Sequence, residues 1–280
     1  MTDPLVDTNW LAAHLRDPNI RILDGSFHLP GSGRDPRQDY ERAHIEGARF
    51  FDIDGICDRT TDLPHMLPPE DEFAAAIGGV GIGNHHRIVV YDGIGSAAAA
   101  RVWWTFRAFS HDRIAVLDGG LAKWLAEGRA VTATAVSSVQ EVFRARLRRD
   151  LVSTAEDLLR ALPVGTLQVI DNRGAGRYRG EEPEPRPAAR LGHIPGSINI
   201  PFNAYFAPER GGCWRTPDEL RAVFAQAGVN LARPTVASCG SGVTAATTAF
   251  AAFRLGVEQI AVYDGSWAEW GNRDDTPVER

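Results

Sequence analysis

The chain has 280 residues, 44% of them hydrophobic and 24% charged, with a formal net charge of −6. That balance excludes a disordered chain and a nucleic-acid binder held by basic surplus, and no apolar run approaches the length of a membrane span. Three cysteines, Cys57, Cys213 and Cys239, are too few and too scattered for a disulfide framework or a zinc site.

The N-terminal stretch MTDPLVDTNWLAAHL has no basic region leading into an apolar one, which makes the cytoplasm the expected location. In chain order, Asp7 or Thr8 caps a helix through Leu15, residues 20–23 form a strand, and residues 68–77 a helix with Glu70, Asp71 and Glu72 in its first turn. Residues 87–91 are a strand, 97–109 a helix, 114–117 a strand, and 119–126 a helix closed by Gly128. Residues 129–150 read as a linker with one strand at 142–147, whose basic run RARLRR is a solvated face. Then follow a helix at 153–162, a strand at 168–171, a helix at 216–227 opened by the Thr216/Glu219 capping box, and a strand at 235–238. A helix at 243–253, a strand at 260–263 and a last helix from Ser266 to Trp270 complete the chain.

The same segments occur twice. Ala43-His44-Ile45-Glu46-Gly47-Ala48 matches Gly192-His193-Ile194-Pro195-Gly196-Ser197 at an offset of 149. Val90-Tyr91-Asp92-Gly93 matches Ala237-Ser238-Cys239-Gly240 at 147, and the stretch from Ala115 through Asp118 to Trp124 matches that from Ala261 through Asp264 to Trp270 at 146. Three collinear matches at near-constant spacing mark a duplicated domain. Short apolar strands alternating with helices give an α/β fold: two tandem domains, each a parallel sheet with helices on both faces. The expected division is 1–135, a linker at 136–150, and 151–280.

In such sheets ligands gather at the carboxyl ends of strands. Cys239 lies there, opening the loop Cys239-Gly240-Ser241-Gly242-Val243-Thr244. By residue type, a cysteine beside a glycine turn is more often a packed thiol. Here the glycines let the backbone turn its N–H groups inward, and the following helix aims its positive end at the sulfur, which favours the thiolate.

The duplicated halves, the histidine segments at His44 and His193, the Asp118 and Asp264 segments and this loop together resemble the rhodanese superfamily, in its two-domain sulfurtransferase branch. The resemblance runs from about Trp10 to Trp270. It implies that the second half holds the nucleophile, Cys239, with Asp92 in its place in the first. The loop is similar to the 3-mercaptopyruvate type; the thiosulfate type usually carries Arg-Lys directly after the cysteine. Thiosulfate is a dianion that calls for cations at the sulfur, whereas mercaptopyruvate carries its one carboxylate at the far end.

The segment from Asn172 to Arg186 resembles the family's substrate loop, and its carboxylate and keto clamps match Arg177 and Arg186. Arginine suits a carboxylate because its planar fork pairs bidentately. Arg173 and Arg179 are expected to be structural or solvated. The segment from Phe50 to Pro68, with its His65-Met66-Leu67-Pro68 ending, resembles the mercaptopyruvate branch, where an aspartate, a histidine and the loop serine have been proposed as a proton relay. Those positions are Asp54, His65 and Ser241, with Asp52 structural. The segment from Asp92 to Arg101 is shorter than in animal members.

The resemblance implies attack of the Cys239 thiolate on the donor sulfur, and a persulfide held by the N–H groups of Gly240, Ser241, Gly242, Val243 and Thr244. The outer sulfur then passes to a thiol or cyanide, thioredoxin being one candidate. Neither a metal nor an organic cofactor is called for. Three alternatives stand beside this reading. A Cys-x5-Arg phosphatase is disfavoured because Ala245 stands where its arginine would be. A non-catalytic rhodanese module usually lacks the cysteine or the arginines, both present here. A thiosulfate sulfurtransferase shares the mechanism and differs only in the donor.

Overall fold

The computed structural model describes residues 3–93 and 97–280. Ile94, Gly95 and Ser96, inside the shortened segment noted above, lie outside the described residues. Two compact units are present. The first comprises the chain up to Asp58, Leu67–Arg148 and Ala207–Trp214; the second comprises Arg59–Met66, Arg149–Phe206 and Arg215–Arg280. Neither is contiguous in sequence, whereas the expected division was into continuous stretches, 1–135, a linker at 136–150, and 151–280. The reason lies in local bonding: the Trp214 N–H donates to Asp118 Oδ1 at 2.9 Å within the first unit, and His65 bonds Arg186 within the second.

The first unit contains β1 (Leu5–Val6), α1 (Thr8–His14), β2 (Ile20–Asp24), α2 (Pro36–Arg42), β3 (Ala48–Phe50), α3 (Glu70–Gly79), β4 (Arg87–Tyr91), α4 (Ala97–Ala108), β5 (Ile114–Leu117) and α5 (Gly120–Ala126). Its sheet has the order β1-β5-β4-β2-β3, parallel throughout. The second unit has β6 (Val152–Ser153), α6 (Ala155–Ala161), β7 (Gln168–Asp171), α7 (Ala175–Tyr178) and β8 (Ile198–Asn199). After a short ribbon of β9 (Phe206–Ala207) and β10 (Cys213–Trp214) come α8 (Pro217–Gln226), β11 (Thr235–Ser238), α9 (Ala246–Phe253), β12 (Ile260–Tyr263) and α10 (Ser266–Trp270). The order β6-β12-β11-β7-β8, again all parallel, repeats that of the first unit strand for strand.

Local chemistry sets these elements. β5, β7 and β11 are buried along their whole length, as parallel strands covered on both faces must be. Asp7 caps α1 and Asp35 caps α2, whose first residue is Pro36; Thr154 and Thr216 form capping boxes with Asp157 and Glu219 on α6 and α8. The repeated histidine motif is structural in both copies. His44 Nδ1–H donates to Tyr40 O (2.7 Å) and its ring stacks on Tyr40; His193 does the same with Tyr178 (2.9 Å). Each histidine backbone also bridges to a later segment, His44 to Thr132 and His193 to Glu279.

Two expected elements differ. No strand forms at 142–147: Phe143 is buried and packs against Phe73, Phe106 and His111, but the segment bonds loops and helix ends instead of a sheet edge. The N–H groups of Glu141, Arg146 and Arg148 reach Gly78 O, Phe109 O and Ala108 O, and that of Arg144 reaches Asn84 Oδ1. Alternation that suggested a strand reflects one buried aromatic residue. Helix α9 begins at Ala246 and not at residue 243, because residues 239–245 are drawn into the loop described next.

Candidate active site

Cys239 follows the last residue of β11 and is buried, with 2% of its surface exposed. The loop is pinned from beneath by the segment that opens α10. Ser266 Oγ accepts from the N–H groups of Cys239 and Gly242, both at 3.1 Å. Its single proton goes to Tyr263 O at 2.8 Å in preference to the Cys239 sulfur at 4.0 Å. The N–H groups of Trp267 and Ala268 donate to Cys239 O and Gly240 O. Gly242 takes the left-handed conformation (φ 77°) that closes the turn. Among the described residues, the N–H groups of Gly240, Ser241, Val243 and Thr244 have no protein acceptor, which leaves four donors for an anion. Gly242 drops out of the expected set of five, since its N–H is held by Ser266. Ser241 and Val243 are buried, and Thr244 O accepts from Thr247.

The arginines come from the segment after β7. Arg177 lies on α7 and packs over Gly240 so closely that a Cβ there would sit 2.6 Å from its Nη2. A side chain at 240 would push the Arg177 guanidinium out of this position. Arg177 Nε and Nη2 both donate to Glu184 Oε2. Arg173 is fully buried: Nε and Nη2 grip Asp171, Nη1 donates to Glu184 Oε1 at 2.8 Å, and the guanidinium lies 4.3 Å over the Trp267 ring. Arg179 pairs with Glu181 on the surface. Both meet the expectation that they serve structure or solvation.

Arg186 joins two other expected residues. Its Nη1 donates to Ser241 Oγ (3.2 Å) and its Nη2 to His65 Nε2 (2.9 Å). A guanidinium only donates, so His65 Nε2 is the acceptor and a neutral ring carries its proton on Nδ1. Arg186 thus links His65 and Ser241, two members of the expected relay. His65 is buried and holds φ 63°, an uncommon conformation for a side-chain-bearing residue. Asp54 belongs to the first unit, where its carbonyl accepts from Cys57 Sγ. Asp52 ties its turn by accepting from the Gly55 N–H and pairs with Arg37, a structural part as expected.

The comparisons with known proteins agree with this layout. The model of the rhodanese-like domain matches residues 7–127 and 154–273, once per unit. The chain belongs to the rhodanese family. It is 43% identical over 272 residues to the human 3-mercaptopyruvate sulfurtransferase, covering 95% of this chain and 91% of that one. It is also 43% identical over 276 residues to the rat thiosulfate sulfurtransferase, covering 96% and 92%. The crystal structure of SseA from Escherichia coli, described as a 3-mercaptopyruvate sulfotransferase with the rhodanese fold, superposes with a TM-score of 0.87 at 38% identity, covering 96% of this chain and all of that one. The chain is a sulfurtransferase. Equal identity to the two kinds of relative means that overall likeness does not select the donor.

Of the residues in this rhodanese site, Ser266 was not found from the sequence. The signal was present: Ser266 falls on Gly120 of the repeat, and both hold positive φ, 50° and 56°. A serine kept where glycine is the easy choice points to its hydroxyl. The other thiols stand in different surroundings. Cys213, in the first unit, is buried near Asp118, and its thiol is pushed up to about 11, first by burial. His85, His86 and Glu141 bring potential ligand atoms within 4.8 Å of one another. His86 Nδ1 already accepts from the Gly83 N–H, and burial first, then Arg21 and His85, lower its pKa to about 4.

Proposed function

We propose that this sulfurtransferase draws sulfur from 3-mercaptopyruvate through a persulfide on Cys239 and passes it to a thiol or cyanide, with thioredoxin among the candidate thiols. One observation carries the choice of donor. The residues following the nucleophile, Gly240 and Ser241, bring no charge to the sulfur, and cationic groups reach the loop from the segment after β7 as Arg177 over Gly240 and Arg186 at Ser241. A donor with its sulfur at one end and its carboxylate at the other suits that separation.

The Cys239 thiolate attacks the donor sulfur; the C–S bond breaks and its electron pair leaves on pyruvate as the enolate, which takes up a proton. The negative persulfide sulfur is met by the N–H groups of Gly240, Ser241, Val243 and Thr244. Arg177 and Arg186 hold the carboxylate and the carbonyl, and Arg186 also fixes His65 and the Ser241 hydroxyl relative to each other. Asp54 keeps its proposed place as the carboxylate of the proton relay. A cytoplasmic location remains part of the proposal, alongside a mitochondrial relative, the Arabidopsis thaliana thiosulfate/3-mercaptopyruvate sulfurtransferase 1.

The second reading, thiosulfate as the preferred donor, has the same overall likeness behind it, 43% identity to the rat thiosulfate sulfurtransferase. Steady-state rates with each donor and cyanide as acceptor decide between them. The proposal expects the higher kcat/KM with mercaptopyruvate; a higher value with thiosulfate overturns it.

A further inference from the structure

Four charged side chains run from the sheet to the nucleophile loop in strict alternation: Asp171, Arg173, Glu184, Arg177. Asp171 closes β7, and the other three belong to the segment that follows it. Arg173 is gripped from the side, with Nε and Nη2 on Asp171, while its Nη1 points onward to Glu184. Arg177 repeats the arrangement. Its Nε and Nη2 are held from the side by Glu184, and among the described residues its Nη1 has no protein partner. Side-chain exposure rises along the series, from 2% at Asp171 and 0% at Arg173 to 6% at Glu184 and 20% at Arg177. The accessible end is the one that lies over Gly240.

We infer that Glu184 is a positioning residue: it holds the Arg177 guanidinium side-on and so aims the Nη1 edge at the carboxylate of the sulfur donor. The donor's carboxylate takes the place after Arg177 that Glu184 takes after Arg173. This inference rests on the reading of the donor as a carboxylate-bearing thiol. Glu184 does not compete with the substrate for Arg177, because the two carboxylates use different edges of one planar cation. It also pre-orders a long side chain whose freedom would otherwise be lost on binding.

Pyruvate, which carries the carboxylate without the sulfur, is the probe. Its affinity for the full chain is measured by titration calorimetry, beside kcat and KM for mercaptopyruvate, in the wild type, Glu184→Gln, Glu184→Asp, Arg177→Lys and the Glu184→Gln/Arg177→Lys double variant. Glu184→Gln should weaken pyruvate and raise KM by about tenfold, the scale of one charge-assisted contact, while kcat stays within about twofold. Glu184→Asp should recover most of the loss. The double variant should bind no worse than Arg177→Lys, because lysine keeps the charge but cannot be held side-on.

Unchanged pyruvate affinity in Glu184→Gln, losses that add in the double variant, or a wild type that does not bind pyruvate would each overturn the inference. If circular dichroism shows Glu184→Gln unfolded, Arg177→Lys carries the test, and undiminished pyruvate affinity there overturns it. Failure of mercaptopyruvate turnover in the wild type would sink the proposed function, while the coupling between residues 184 and 177 is read separately from pyruvate binding.

Discussion

At the end of β11 the second unit carries Cys239, and at the matched end of β4 the first carries Asp92. Asp92 Oδ2 accepts from the N–H groups of Ala98 and Ala99 at the start of α4, so the first unit fills the place with a fixed carboxylate. Beneath it, Gly120 leaves room for Asp92 O, which a Cβ would meet at 2.6 Å. In the second unit the same position is Ser266, whose hydroxyl rises into the loop. The Leu121 and Trp267 N–H groups make equivalent bonds, to Asp92 O and Cys239 O, both at 3.0 Å. One strand further on, the Arg173 N–H bonds Asp171 Oδ1 as the Ser26 N–H bonds Asp24 Oδ1, each at 2.9 Å. Among the described residues, only the second unit adds the guanidinium. The shared frame builds an anion-holding turn in both copies; what distinguishes the second, proposed to do the chemistry, is a cysteine, a hydroxyl under it and a charged chain beside it.

The comparison can be broken most severely at the nucleophile. Cys239→Ser should lower turnover on the order of a thousandfold or more, measured with mercaptopyruvate and cyanide, since the reaction then lacks its covalent step. Next is the buried ion pair. Arg173→Ala strands Asp171 and Glu184 and should cost about 3–5 kcal/mol of stability in urea unfolding, whereas Ser26→Ala in the first unit should cost about 1 kcal/mol or less. Equal losses would mean that the charged chain adds nothing to the frame. The hydroxyl beneath the loop comes third. Ser266→Ala and Ser266→Gly should each reduce kcat by about tenfold, a fraction of what a direct oxyanion donor supplies. A glycine variant of full activity would mean that the backbone turn suffices.

The smallest effect concerns Asp24, which among the described residues has no guanidinium like that on Asp171. Burial first, opposed by its bonds to Ser26 and Tyr91 and aided by the charge of Asp92, raises its carboxyl above the usual range. A carboxyl raised in the folded state binds its proton more tightly there than when unfolded. Its contribution is therefore present at acid pH and is lost as pH rises through the folded value. Asp24→Asn should flatten the stability profile from about pH 4 upward. A steeper fall in that variant would show that the buried charge is compensated in a way this account lacks.

Much of this was legible in the sequence. The strands at 87–91, 114–117, 168–171, 235–238 and 260–263 appear with the expected bounds, because short apolar runs between turn residues identify buried parallel strands with little ambiguity. The two-residue strands β1, β6 and β8 were not legible, since they exist only through partners distant in sequence. Helix α2 was missed although Asp35-Pro36 announces it; seven residues with none buried and Tyr40 alone packed against the core give no apolar period to read. Cys239, Arg177 and Arg186 were found from their place at strand ends and by likeness. Glu184 and Ser266 were not, because a second carboxylate in an acidic loop and a serine in a turn look ordinary until their partners are fixed in space.

The central claim is that only Cys239, among three cysteines, stands in a turn built to hold a sulfur anion. Treating the full chain with one equivalent of mercaptopyruvate, then mapping the added sulfur by peptide mass spectrometry, tests it most directly. The account predicts a single extra sulfur on Cys239, removed by cyanide. Stable sulfur on Cys57 or Cys213, or none on Cys239, would contradict it.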